Sequence, residues 1–279
     1  MEGDDERTSR RANLGRIVAS ALALLVHLPN RAGVRRQKRK RQKKDLPARE
    51  ELNYTFPLPP GAFINLSNIN GPVFIETADT HIAEVQTIRS ALQRRDLDQQ
   101  PLIVELTENG LSIRGERQLL NSSRRNGVRH RVTVKLPRQV ELSVDRVNGM
   151  LDVREIGGSA LLKNINGGAN VRLGQAVGSL EIIRVNGGVQ IALAQPQDGG
   201  IKIHRINGVV ELHFVGEPNA ELEVEEFRGD INSVIPLVAK GRMGNSRLHA
   251  RMGSGGPLIS IHCINGGVRL RQDEQSIQA

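Results

Sequence analysis

From Tyr54 onward, apolar and polar residues alternate in short runs broken by Gly, Pro and Asn-Gly. A period of two places successive side chains on opposite faces of an extended chain, so each run predicts a β-strand with one buried face. "FPLPPGAFINLSNINGPVFIET" (56–77), "HIAEVQTIRSAL" (81–92), "LIVELTENGLSIRGE" (102–116) and "HRVTVKLP" (130–137) all follow this rule. They predict a strand-rich N-terminal module over 51–140, built as antiparallel hairpins, with a turn at Asn109-Gly110 and a polar loop over 120–127.

Beyond residue 140 one phrase recurs. It reads "SVDRVNGMLDV", "LLKNINGGANVRL", "IIRVNGGVQIAL", "IKIHRINGVVEL" and "ISIHCINGGVRL", with an earlier copy in "LSNINGPVFI". The pairs are Asn70-Gly71, Asn148-Gly149, Asn166-Gly167, Asn186-Gly187, Asn207-Gly208 and Asn265-Gly266, spaced by 18, 20 and 21 residues from 148 to 207. Arg228-Gly229 is a degenerate copy one period later, and a decayed copy is expected within 238–253. Self-similarity at this period marks a repeat architecture. Asn-Gly supplies residues that accept φ > 0, so each pair is expected to turn a corner. A second break, at Gly157-Gly158, Gly178 and Gly199-Gly200, gives each period two strands and two corners.

Two architectures fit that unit: an antiparallel meander, or a β-solenoid in which each period is one coil stacked on the last. The coil explains why equivalent positions carry like residues. It predicts an inward ladder of Ile165, Val185, Ile206 and Ile264, a second of Val171, Val189 and Val268, and an amide ladder of Asn166, Asn186 and Asn207. The fold class is therefore all-β, with a repeat body over 141–272 and a polar tail over 273–279.

Composition narrows the core and the partners. Only 2% of residues are aromatic against 38% apolar, so the core is built from Ile, Val and Leu, and stacking platforms for sugars or bases are nearly absent. The net charge of +9 sits at one end: residues 1–50 hold 14 Lys and Arg against 6 Asp and Glu, the rest of the chain 25 against 24. No specific nucleic-acid partner is expected. The single Cys263 excludes an intrachain disulfide.

Residues 1–34 carry Arg10-Arg11 and an apolar run from Ile17 to Leu28. That run suits the core of an export signal and is short for a membrane span; an uncleaved anchor and a short buried helix remain open. Residues 35–50, opening "RRQKRKRQKK", read as a disordered basic linker or an arm for anionic lipid or another polyanion.

No catalytic, cofactor or metal residue is predicted. Asp145, Asp152 and Glu155 are the nearest approach to paired carboxylates. His204 and His262 hold the same repeat position, and at strand spacing three coils would separate them by about 14 Å, too far for one ion. The position two before the Asn carries Arg146, Asn164, Arg184 and Arg205, an exposed stripe that is either a solvated charged face or a docking strip for an acidic partner or anionic glycan.

The opening strand, "VTVKLP", the Asn-Gly series and the closing "MGSGGPLISIHCINGGVRLRQ" together resemble the DUF4097 family of adhesin-type β-strand-repeat proteins, related to GIN domains. The resemblance spans about 52–272. It implies a right-handed β-helical body, a bacterial protein exported to the periplasm, cell envelope or exterior, and a non-enzymatic structural or binding role toward a surface glycan or envelope protein. It brings no catalytic residues. Arg228, where Asn is expected, departs from it. A membrane-tethered, bactofilin-like polymerising scaffold and a polysaccharide-active β-helix enzyme are the alternatives.

Overall fold

The computed structural model describes residues 48–116, 127–174, 178–196, 198–240, 244 and 246–273. The leader, most of the basic linker, most of the 120–127 loop and all but the first residue of the tail lie outside the described residues.

The N-terminal stretch forms β1 (Ala48–Pro57), β2 (Phe63–Ile69), β3 (Val73–Ala78), β4 (Ile82–Ala91), helix α1 (Arg94–Gln99), β5 (Leu102–Thr107), β6 (Gly110–Gly115) and β7 (Arg129–Pro137). The repeats form β8 (Glu141–Val147), β9 (Leu151–Ile156), β10 (Ala160–Ile165), β11 (Ala169–Leu173), β12 (Leu180–Val185), β13 (Val189–Leu193), β14 (Ile201–Ile206) and β15 (Val210–Val215). There follow β16 (Ala220–Phe227), β17 (Ile231–Ser233), β18 (Val238–Ala239), β19 (Arg247–Met252), β20 (Leu258–Ile264) and β21 (Val268–Asp273). The short helix was not foreseen; buried Arg89 holds it by donating to the carbonyls of Leu97 (2.9 Å) and Gln100 (3.1 Å) while pairing with Glu50.

The strands make two large mixed sheets. Sheet I runs β1-β4-β7-β3-β9-β11-β13-β15-β21-β17 and sheet II runs β18-β19-β16-β20-β14-β12-β10-β8-β2-β6-β5. The repeats pair in parallel, each on the equivalent strand of the period beside it: β8 with β10, β10 with β12 and β12 with β14 in sheet II, and their partners β9 to β15 in sheet I. Parallel pairing rules out the antiparallel meander, whose successive strands run in opposite directions. Antiparallel strands cover both ends: β4 and β1 beyond β7, β5 beyond β6, and β19 with β18 beyond β16.

The inward positions of both sheets join in one continuous cluster. Val147, Ile165, Val185, Ile206 and Ile264 stand in one register line, the first ladder foreseen. The second foreseen ladder divides. Val189 and Val268 align with Leu151, Ala169 and Val210, whereas Val171 aligns with Val153, Ile191, Leu212 and Leu270. Val171 lies five residues past its Asn and the other two lie three past theirs, so they are neighbours on one face rather than one line.

The order of stacking departs from the order of the sequence. β20 sits between β14 and β16, and β21 between β15 and β17. The expected decayed copy over 238–253 is instead β18 and β19, folded antiparallel against β16. The reason is burial: Leu248, Ala250 and Met252 alternate inward and are buried, while β19 pairs with the edge of β16.

Candidate functional site

Each corner between the sheets is built from three successive devices. The residue two before the Asn is left-handed: Asn68, Arg146, Asn164, Arg184, Arg205, Cys263 and Glu226 all have φ between 55° and 60°. The expectation that Asn-Gly itself supplies the positive φ is met only by Gly71 and Gly187; the residue two before the Asn carries it at every corner. The twist of the chain there makes two consecutive residues face outward, so that the next residue, Ile or Val, returns to the core. In β10 the burial pattern is buried, half-buried, buried, two half-buried, then buried Ile165.

The Asn comes next. Asn148 Nδ2 donates to Asn70 Oδ1 (2.8 Å), Asn166 to Asn148 (2.8 Å), Asn186 to Asn166 (2.9 Å), Asn207 to Asn186 (2.8 Å) and Asn265 to Asn207 (2.8 Å). A primary amide donates and accepts at once, so one residue type repeated makes a continuous file. Arg228 extends the stack by its backbone, donating to the Ile264 carbonyl at 3.1 Å.

The Gly follows because the coils touch there. A Cβ on Gly187 would fall on the carbonyl of Gly167, and one on Gly167 on the carbonyl of Gly149. Close backbone approach, rather than a left-handed φ, demands Gly at most of these positions; Gly71 (147°) and Gly187 (154°) have both reasons.

The outward residues of sheet II are what this scaffold displays. Along the left-handed line the order is Asn68, Arg146, Asn164, Arg184, Arg205, Cys263, Glu226. Arg184 and Arg205 are therefore neighbours, exposed, with no ion pair among the described residues. Arg146 lies one coil further off beyond Asn164, and its Nη2 is 3.2 Å from Asp145 Oδ2. The stripe is basic in its middle and acidic at the β16 end, where Glu225 pairs with Arg247 (2.6 Å).

The intercalated strand pair β20 and β21 brings together residues that the sequence holds apart. His204 and His262 are register partners on β14 and β20, their ring centroids 6.3 Å apart at an interplanar angle of 23°. The expected separation of three coils fails because β20 lies directly against β14. His262 Nδ1 is 3.5 Å from Glu225 Oε2, and Cys263 Sγ donates to Glu226 Oε2 at 2.7 Å. That hydrogen bond, with burial, raises the Cys263 pKa, keeping the thiol protonated. Desolvation, then Arg205 and His262, lower the His204 pKa, so the ring is neutral at neutral pH. The shared repeat position of His204 and His262 was legible in the sequence, but their adjacency was not, because the repeat count alone does not reveal an insertion out of order. Among the described residues, no group of three or more His, Cys, Asp or Glu is placed to hold a metal ion.

The carboxylates weighed for polysaccharide chemistry are dispersed. Asp145 on sheet II accepts from Asn164 (2.7 Å) and pairs with Arg146. Asp152 on sheet I takes Arg154 Nε at 2.8 Å, and exposed Glu155 lies 3.8 Å from Arg138. They lie on two sheets, each beside its own arginine, and form no facing pair across a groove.

No family model matches the chain, and no curated protein matches it. Solved structures are similar to it only remotely. A cell adhesion protein (designated putative) from Clostridium sporogenes ATCC 15579 is 12% identical, over 80% of this chain and 100% of that one, with a TM-score of 0.42. A putative adhesin from Bacteroides fragilis NCTC 9343 is 11% identical over 81% and 99% with a TM-score of 0.35, and one from Parabacteroides merdae ATCC 43184 is 9% identical over 81% and 95% with a TM-score of 0.25. Likeness this remote leaves function to be argued from the chain's own surfaces.

Proposed function

We propose that this protein is a non-enzymatic binding module of the adhesin type, exported to the cell envelope or beyond, and a member of the DUF4097 group it resembles. Its repeats form a right-handed β-helical body behind a strand-rich N-terminal module. The body serves as a rigid rack, and the corner stripe of Arg146, Arg184 and Arg205 docks an acidic surface glycan or envelope protein.

The observation that carries this reading is the pair Arg184 and Arg205. Two guanidiniums stand in register on adjacent coils, exposed and unpaired among the described residues, on backbone held by the amide file. A repeat spacing of one strand, about 4.8 Å, suits a ligand whose own charges repeat. The carboxylates weighed for the catalytic alternative, Asp145, Asp152 and Glu155, are divided between the two sheets, each beside an arginine.

Two experiments test it. Cell fractionation with N-terminal sequencing of the mature protein should recover it outside the cytoplasm with the leader removed near residues 28–34. R184E/R205E should lose binding to acidic envelope polymers at least tenfold while keeping its melting temperature. An intact cytoplasmic protein, or a variant that binds as the wild type does, sinks the reading.

A further inference from the structure

A second basic group lies on sheet I, where β1, β4 and β7 pair antiparallel. Arg49 is opposite Ser90, and Ser90 is opposite Arg129. Two residues along, Glu51 is opposite Ile88, and Ile88 is opposite Arg131. Residues two apart on a strand share a face, so all of these point outward together. The intervening Arg89 and His130 point the other way and are buried.

Side-chain length then shapes the surface. Ser90 is short and stands between two long arginines, and Ile88 is shorter than Arg131 beside it. The result is a notch of about 430 Å³, floored by Ser90 and Ile88 and walled by Arg49, Arg129, Arg131 and Pro72, with part of the largely buried His130 between the two β7 arginines.

The charge in this notch is not balanced locally. Glu51 is the single carboxylate in the two rows; its Oε2 is 3.4 Å from Arg49 Nη2, and its Oε1 accepts from Gln86 Nε2 at 3.0 Å. Glu50 is engaged with Arg89 and Arg94. Arg131 lies over the Phe74 ring, 5.5 Å from its centroid, which orients the guanidinium without neutralising it. Arg129 has no carboxylate partner among the described residues. Two uncompensated arginines and a third shared one therefore line a hollow floored by a hydroxyl.

We propose that this notch binds a tetrahedral oxyanion, a phosphate or sulfate ester borne on a larger ligand. A planar carboxylate is satisfied by one bidentate arginine. Three guanidiniums, Arg49 from β1 and Arg129 and Arg131 from β7, suit an anion with three or four acceptor oxygens, and the Ser90 hydroxyl supplies a further donor. The hollow holds the volume of about fourteen waters at roughly 30 Å³ each, more than a bare oxyanion fills, which leaves room for the group that carries it. The site is independent of the corner stripe on sheet II.

The test uses the full chain at constant ionic strength with three probes: inorganic phosphate, dextran sulfate and phosphatidylglycerol vesicles. R129E/R131E is compared with wild type and with K135E/R172E, which makes the same charge change at exposed outward positions of the same sheet. R129E/R131E should weaken at least one probe by about tenfold or more, equivalent to about 1.4 kcal/mol, with K135E/R172E near wild type. Loss confined to dextran sulfate identifies a glycan-borne ester, loss confined to vesicles a lipid headgroup, and loss of inorganic phosphate alone a free oxyanion. Wild-type protein that binds none of the probes, or two variants that weaken them equally, overturns the proposal. Should R129E/R131E fail to fold, R129Q/R131Q carries the same comparison.

Discussion

Asn265 Nδ2 donates to Asn207 Oδ1 at 2.8 Å across 58 residues of chain. The bond closes the amide file and marks where the last coil enters the stack. β20 and β21 fill a place between β14–β15 on one side and β16–β17 on the other, so two strand pairs contiguous in sequence are joined in the sheets through the C-terminal one.

Removing residues 258–279 should therefore damage more than an end. β14, β15, β16 and β17 each lose a parallel neighbour, and buried Ile203, Leu212 and Val224 lose their register partners. The truncated chain is expected to lose its sharp unfolding transition and to be cut by protease between 201 and 257. A truncated chain that melts as cooperatively as the full one, at the same temperature, would contradict the intercalated order. The single change Ile261→Ala should cost about 2–5 kcal/mol, as for other buried aliphatic truncations.

The corner makes different demands on its Asn and its Gly. Asn186 donates to Asn166 and accepts from Asn207, but it is exposed, so water competes for both bonds. Asn186→Ala should cost about 1–2 kcal/mol, two hydrogen bonds at the usual net value. Gly187→Ala sets a methyl against the Gly167 carbonyl and should cost about 3 kcal/mol, since backbone on backbone cannot yield as a side chain can. Urea titration of both variants gives the ranking, and the reverse order would refute this account of the motif.

The left-handed residue offers a test of opposite signs. Arg184 sits at φ 60°, where a side chain costs about 1–2 kcal/mol and a β-branched one more. Arg184→Gly should leave the unfolding free energy unchanged or raise it slightly, relief of strain offsetting the entropy gained by the unfolded chain. Arg184→Val should lower it by about 1–2 kcal/mol. Equal stability of the two variants would show that the corner does not constrain this residue.

Acid should destabilise the fold through His130. Burial, with a contribution from Arg89, lowers its pKa from 6.5 to about 4. Its Nδ1 accepts from the Asn70 backbone N–H at 3.2 Å, which requires the neutral ring, and Nε2 has no partner. The unfolded chain takes up the proton first. Stability is therefore complete above the unfolded value and falls as the pH drops from about 6.5 toward 4, by about 3 kcal/mol from this group. Melting temperatures from pH 7 to 4.5 should show that fall in the wild type and a weaker one in His130→Gln. Parallel slopes would assign the acid sensitivity to other groups.

Much of the fold is legible in the residues because two periods are superimposed on them. Alternation by two marks strands, and the recurrence of Ile or Val before Asn-Gly after about twenty residues marks equivalent places in a stack. Ile165, Val185, Ile206 and Ile264 align as that recurrence requires. The left-handed position was readable in retrospect: two consecutive outward residues, such as Lys163 and Asn164, break strict alternation just before every corner. The Gly was readable as a Gly, though not as a contact, because its reason lies in the neighbouring coil.

By itself the sequence determined the strands, the period, the aliphatic core and the file of asparagines, all of which follow from local pattern and from like residues meeting like. Tertiary structure alone decided that β20 enters between β14 and β16, that 238–252 turns back antiparallel, that His204 meets His262, and that Arg49 and Arg129 flank Ser90. The physical reason is that register along a strand is encoded by which face must be buried, whereas the choice of neighbouring strand is encoded by no residue singly. Every coil presents nearly the same edge, and the order that covers most apolar surface emerges only when the whole stack is assembled.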